Sequence, residues 1–444
     1  MLGNQKKYSR KRTAIVIGGS IAGMLAARVL SDSFEKVMII EKDGEQLKGS
    51  PRKGVPQAAQ GHVLLKSGEK ILEDLFPGLR AEMIKGGSVP ADFANDIAWH
   101  HHGSWKIRYN AGCSIIQQSR PFLEYHLRKR IEQIENIHTL YNTTAKSFIL
   151  NDSRITGIEA ETAEGTAIYP ADLTVDASGA SSLAFQCLKK IGVDQPKKTE
   201  LAINLFYANR IYRRIQLDPE WKSLLVYPNP PLQSFGGAIS PTENNEWMIT
   251  LFGYGANNPP EDHHEFLEAA KNLEKQHIFE CIKNGEPASD IKVYRFPSMR
   301  RFHFEKLKTF PKGLLVMGDA FCRMDPVFAQ GMSIAAKEAK ALQEILISTG
   351  EADADPYNFH RKISKIVDIP WLIALTEDFR FSQTAGAKPW GLPLLQWYVK
   401  KVVNACSFDP YTYDCFMKVL HLQAHPAVLF TPRAVRNIFR RRKK

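Results

Sequence analysis

The stretch Ala14–Asp43, AIVIGGSIAGMLAARVLSDSFEKVMIIEKD, limits what this chain can fold into more than any other. Ala14–Ile17 is a short apolar run of the kind buried in a parallel sheet. Gly18, Gly19 and Gly23 follow, and Met24–Leu30 has helical character. A second apolar run, Val37–Ile40, ends at Glu41. Strand, glycine turn, helix, strand and acid together make a dinucleotide-binding βαβ unit. Gly18 permits the tight turn, and Gly23 lets helix and strand pack closely. Gly19, Ser20 and Ala22 complete the turn beside the helix N-terminus, whose free N–H groups suit a pyrophosphate. Glu41 stands where an acid holds the ribose hydroxyls, with Lys42 next to it. The middle glycine of the fingerprint is Ser20, which weakens the match but still allows close backbone approach.

Length and charge bound the rest. The chain has 444 residues, 44% hydrophobic and 24% charged, enough for two or three globular domains. No apolar run is long enough to span a bilayer. The N-terminal residues are basic without an apolar stretch, so no secretory leader is expected. The six cysteines are scattered with no CxxC pair, which suggests reduced thiols and a cytoplasmic protein. The net charge of +12 sits in the tails: Lys6, Lys7, Arg10, Lys11 and Arg12 at one end, and Arg433, Arg436 and Arg440 to Lys444 at the other. A nearly neutral body argues against a nucleic-acid groove.

Along the chain, the loop 42–60 carries Arg52 within RKGVPQ, and His62–Phe76 has helical spacing. Ser88–Tyr109 reads as paired strands. Ser119 and Pro121 open a helix led by Arg120. Asp176 closes another apolar run and leads into Ala177–Ser182. Residues 198–295 alternate like antiparallel strands, interrupted by a helix within Pro259–Asn284. Beyond Gly350 the chain is helical, in segments Tyr357–Val367, Trp371–Phe381, Leu394–Ala405 and Tyr411–Leu422. The expected organisation is cofactor-binding segments at 1–86, 111–195 and 299–350, substrate-sheet segments at 87–110 and 196–298, and a helical region with a basic tail at 351–444.

Gly313–Met317 runs into Gly318-Asp319, then Asp325-Pro326 and Gln330-Gly331-Met332. A strand ending in Gly-Asp and looping into a helix N-terminus can bind sugar-like hydroxyls and face an electron-rich ring. A flavin needs both, because its ring edge becomes anionic on reduction.

Taken in order, these motifs resemble the FAD-dependent monooxygenases of the aromatic-hydroxylase fold, nearest to bacterial natural-product epoxidases and oxygenases. The resemblance covers nearly the whole chain. It implies an α/β fold: a Rossmann-like FAD-binding domain, an inserted mostly antiparallel substrate sheet, and a C-terminal helical region. It implies that Glu41 binds the adenosine ribose, that Asp319 binds the ribityl chain, and that Arg120 lies near the pyrophosphate. Arg52 would lie close to the cofactor, and Pro326–Met332 would line the flavin ring. Reduced flavin would take up O2 at C4a as a hydroperoxide and pass one oxygen to an electron-rich carbon. The central segment, usually D-x-x-G-R-x-S, reads Asp176-Ala177-Ser178-Gly179-Ala180-Ser181-Ser182 and lacks the arginine tied to the nicotinamide donor. The electron source is then NAD(P)H directly or a separate flavin reductase.

Asp325 adds a carboxylate near the ring, and with Pro326 and His62 it forms the catalytic candidate set. Halogenases of this fold carry W-x-W-x-I-P, which is absent here. No metal site is expected: His100, His101 and His102 alternate faces on a strand, so the three cannot converge on one ion. Arg300-Arg301 are expected at the surface or on the cofactor side. The substrate is expected to be small and hydrophobic, an olefin, terpenoid or polyketide that is epoxidised or hydroxylated. Val435, Ile438 and Phe439 share one face of a basic segment that could lie on an anionic membrane. The alternatives are a flavin dehydrogenase on a prenyl-like chain and a flavoprotein without turnover.

Overall fold

Thr13–Ile17 (β1) takes the centre of a parallel sheet because its side chains are apolar on both faces; Ala14, Ile15 and Val16 are wholly buried. Lys36–Ile40 (β2), Ile137–Leu140 (β3), Leu173–Asp176 (β4) and Leu314–Val316 (β5) complete it in the order β5-β4-β1-β2-β3. This computed structural model describes residues 12–45, 59–214, 219–255, 258–349 and 354–440. Arg52 and the RKGVPQ run lie outside the described residues.

The helix Ile21–Leu30 (α1) crosses from β1 to β2. Its approach depends on two glycines. A Cβ on Gly23 would lie 1.8 Å from the Gly18 carbonyl oxygen. Gly18 itself has φ +98°, and a Cβ there would sit 2.7 Å from the Ala177 carbonyl oxygen at the end of β4. The helix Arg120–Glu132 (α2) starts as expected, with the Ser119 hydroxyl accepting from the Phe122 N–H and Pro121 in the first turn. The long helix Gly331–Thr349 (α3) packs beside α1.

A nine-stranded, mostly antiparallel sheet stands over this layer. Its longest strand, Lys198–Arg213, pairs with Lys292–Phe302 on one side and Glu246–Gly253 on the other. Ile97–His101 joins it in parallel with Ser223–Val226, whereas Val89–Asp92 pairs with Ser114–Gln117 in a separate ribbon. The expected helix within Pro259–Asn284 is two short helices, His263–Lys271 and His277–Ile282.

The C-terminal region has four helices: Pro356–Asp378 (α4) packs on α3 and β5, while Leu392–Ala405 (α5), Pro410–Leu420 (α6) and Pro432–Ile438 (α7) share a core with Ile97 and Trp99 of the large sheet. The sequence reading divides α4 at Pro370. The structure keeps one helix, with Pro370 buried inside it. Burial of Phe359, Ile363, Val367, Trp371 and Ala374 along one side outweighs the hydrogen bond the proline cannot make.

Gly23→Ala is expected to lower the urea midpoint at or beyond the upper end of the ~1–3 kcal/mol overpacking range, because the clash is with backbone that cannot rotate away. An unchanged midpoint would mean that α1 is free to shift.

Candidate active site

A cleft of about 1900 Å³ opens where the C-terminal ends of β1, β4 and β5 face the large sheet. That is where open α/β sheets bind ligands. Ser20 and Ala22 line it at the start of α1, and Gly331 and Met332 line it at the start of α3. Ser20 is the N-cap of α1, but its hydroxyl caps no helix N–H, so the first turn remains open to the cleft. A Cβ on Gly331 would meet nothing within 4 Å. Two helix N-termini thus point their positive ends at one volume. Lys42, Arg120, Gly318, Asp319 and the turn Ala177–Ser181 complete that side.

The Ser20 hydroxyl links this turn to α2. It donates to Glu124 Oε1 at 3.1 Å and accepts from Arg120 Nη2 at 3.1 Å. Arg120 Nε reaches the same Glu124 oxygen at 3.0 Å, and its Nη1 lies 3.1 Å from His62 Nε2. His62 Nδ1 is 2.7 Å from the Gln60 carbonyl oxygen, which can only accept. The proton therefore sits on Nδ1, and Nε2 accepts from Arg120. Burial and the Arg120 guanidinium push the His62 pKa down to about 3, so the ring is neutral. Both nitrogens of His62 are thus engaged, one of them by Arg120, and its ring lines the cleft.

Glu41 ends β2, where Oε2 accepts from the Gly19 N–H at 2.8 Å and Oε1 from the Asp43 N–H at 2.9 Å. Asp176 is wholly buried and does not line the cleft. Its carboxylate accepts from the Ser178 N–H and the Ser182 hydroxyl, so it shapes the turn and is not a direct cofactor contact. Asp319 does face the cleft, and its carboxylate has no hydrogen-bond partner among the described residues. Protein on its other sides raises its pKa against the pull of Arg323 and Arg120. The strand end before it is held by Glu338 of α3, whose Oε2 accepts from the Gly318 N–H at 2.7 Å. Burial pushes Glu338 up to about 8, so it is mainly protonated at neutral pH. Sequence reasoning missed Glu338, since one glutamate in a helix carries no signal of its own.

Asp325 is 1% exposed. Its Oδ1 accepts from the Val327 N–H at 2.8 Å, and its Oδ2 from the Tyr254 hydroxyl at 2.8 Å. Burial and the nearby Asp325 drive the pKa of the wholly buried Asp378 well up. Asp325 borders the cleft and holds the loop Pro326–Ala329 through the Val327 N–H. Gln330 is 1% exposed and does not line the cleft.

A second chamber, about 730 Å³, adjoins the cleft. His62, Pro326, Ala329 and Tyr207 line both. Its other walls are largely apolar, with Phe93, Trp99, Leu225 and Phe252 among them. The Tyr207 hydroxyl is buried with no partner. The alternation of Leu201–Tyr207 marked a strand without saying which face met the cleft.

The cleft thus combines an acid open to it, Asp319, with the open first turn of α1 at Ser20. A family profile described as FAD binding domain matches residues 11–360. This chain belongs to that FAD-binding family. It is 26% identical to Protein Rv3254 of Mycobacterium tuberculosis over 94% of this chain and 90% of the relative. It is 23% identical to kynurenine 3-monooxygenase of Cytophaga hutchinsonii over 76% and 73%. The solved flavin-dependent brominase Bmp2 shares the fold, at TM-score 0.67 and 16% identity over 92% of each chain. The protein is thus an FAD-binding protein with the aromatic-hydroxylase fold, and its relatives include a monooxygenase.

Other expected features of the flavoprotein fall outside the cleft. Arg300 pairs with Glu200 at 2.9 Å on the neighbouring strand and Arg301 with Asp368 at 2.7 Å, tying strand to strand and sheet to α4. Arg295 and Arg323 line the cleft instead. The histidine run is buried, and two of its rings converge where alternate faces are expected. His102 has φ +50°, which turns it out of the strand, so its ring stacks on His101 at 4.3 Å. Its Nε2 is 3.1 Å from Glu377, and Arg380 Nε meets the same carboxylate at 2.9 Å.

His62 and His360 are held at about 3 and His421 at about 4. Two accept a backbone N–H, His360 from Val316 and His421 from Lys66. In the unfolded chain each protonates near 6.5. Below that pH the unfolded state binds protons that the folded state refuses. Stability present above about pH 6.5 is therefore lost as pH falls, by up to ~1.4 kcal/mol per unit per histidine. Urea midpoints measured from about pH 7 to about pH 5 should fall, and less steeply in His360→Asn. A midpoint that rises on acidification would contradict this account.

Proposed function

We propose that this enzyme inserts one O2-derived oxygen atom into a carbon of a hydrophobic substrate, olefinic or terpenoid in character, by epoxidation or hydroxylation. The observation that carries this reading is the apolar chamber that shares Pro326, His62 and Tyr207 with the cofactor cleft. Bound FAD, reduced by NAD(P)H directly or through a separate flavin reductase, supplies the oxygen activation. The residues present would hold it: Asp319 on the ribityl hydroxyls, the start of α1 and Arg120 on the pyrophosphate, Glu41 on the adenosine ribose, and Gly331–Met332 at the ring. The chain's own contribution is then to exclude water and orient the substrate. Apolar side chains do the first, and the Tyr207 hydroxyl offers a hydrogen bond for the second.

Purified protein should be yellow, and Asp319→Ala should lose most of its FAD. With reductant and an apolar olefin, isotope-labelled O2 should deliver one label per product. Product formed without label would identify a dehydrogenase and overturn the assignment.

The C-terminal helices also support peripheral membrane contact. No helix among the described residues is long and apolar enough to cross a membrane. Helix α7 uses Ala434 and Ile438 in the core, so the segment is not free to lie flat as expected. Instead Trp390, Leu394, Trp397, Phe430 and Phe439 are exposed on this region, and Arg433, Arg436 and Arg440 are exposed with them. Aromatic and basic side chains together suit an anionic lipid surface. Co-sedimentation with phosphatidylserine vesicles should be weakened by salt and by Trp390→Ser with Trp397→Ser. Equal sedimentation of both forms would remove the idea.

A further inference from the structure

A third pocket lies between the C-terminal helices and the part of the large sheet that carries Trp99 and His101. Its wall is almost entirely carbon, from Leu372 and Ile373 of α4, Leu395 and Val399 of α5, and Val419 of α6. His101 and Glu377 border it, but Glu377 is neutralised by Arg380 within the protein. The cavity therefore presents no unpaired charge to a head group. Trp99, Tyr227, Phe328 and Leu420 line both this cavity and the chamber beside the cleft. They form a shared partition. Phe328 belongs to the same short turn as Pro326, which borders the cofactor cleft. The Tyr227 hydroxyl donates to the Val327 carbonyl at 3.0 Å, fastening the partition to that turn.

Protein interiors are close-packed, and a carbon-lined space with about 120 Å³ of room suits an apolar guest better than water. A compact substrate held in the near chamber would leave it empty. We propose that the distal cavity is a subsite for the apolar tail of an extended, lipid-like substrate whose oxidised carbon sits in the near chamber. The partition side chains then set where along the chain oxidation falls. This rests on the monooxygenase reading for the near chamber, but tail binding itself requires no turnover.

The test uses the full-length protein and a homologous series of straight-chain alkenols, with Kd measured by calorimetry. Each added methylene should tighten Kd roughly fourfold, the equivalent of ~0.8 kcal/mol, until the cavity is full and the series levels off. Val399→Trp should weaken long probes at least tenfold and leave short ones unchanged. Ile373→Trp, from α4, should do the same. Flavin content and circular dichroism check that each variant is folded, and if neither is, the length series on the unmodified protein decides. A Kd independent of chain length, or equal weakening of short and long probes, would overturn the subsite. Length-dependent binding without incorporation of labelled oxygen would keep the subsite and overturn the monooxygenase reading instead.

Discussion

The contact of Gly23 with the Gly18 carbonyl is the constraint on which the rest depends. It lets α1 descend onto β1 until its first turn faces the cleft. The same turn bears on β4 through Gly18 and Ala177. On the far side a Cβ on Gly318 would come 3.0 Å from Ala22, so the end of β5 is fitted to the same helix. One close approach therefore fixes three strand ends and two helix N-termini around a single volume. Side chains larger than hydrogen at these points would separate the parts that must converge on a cofactor.

Around that volume, burial decides which groups carry charge. Glu338 is held near neutral and accepts from the Gly318 N–H; His62 is neutral and accepts from Arg120; Asp378 keeps a proton beside Asp325. These groups spend their polarity on backbone and guanidinium, and they hold loops at defined heights. Asp319 differs because its carboxylate is left for a ligand. The Arg120–Glu124 pair, 11% and 1% exposed, is of the kind whose disruption costs about 3–5 kcal/mol because one buried charge is left behind. Ser20 sits between its two members. The departure from the glycine fingerprint thus exchanges backbone freedom for a hydroxyl that joins the turn to α2.

The large sheet and the C-terminal helices wall the apolar chamber beside the cleft. The loop carrying His62 is anchored to the sheet through Asn209, which accepts from the Gly61 N–H at 3.3 Å and donates to the Gln60 side chain. The helices add a carbon-lined extension that the sheet alone would not enclose. Cofactor geometry and substrate shape are therefore set by different parts of one chain. They meet at Pro326, His62 and Tyr207.

The cofactor half was legible in the sequence because its requirements are local. Tight turns need glycine at particular positions, and helix starts, strand ends and terminal acids recur at fixed spacing; Gly18, Gly23, Ser119 and Asp319 each satisfy such a rule. Roles that depend on what a side chain meets across the fold were not legible. Asp325 and His62 read as candidate reactive groups, and only the fold showed that Tyr254 and Arg120 are their partners. His101 and His102 read as divergent, and one left-handed residue brought them together. Pro370 read as a break, and packing along one side of α4 kept the helix whole. The partition between near and distal cavities joins residues from one strand, two loops and a helix, distant in sequence. Spacing along a chain records local backbone geometry, whereas burial and pairing are properties of neighbours that only folding brings within reach.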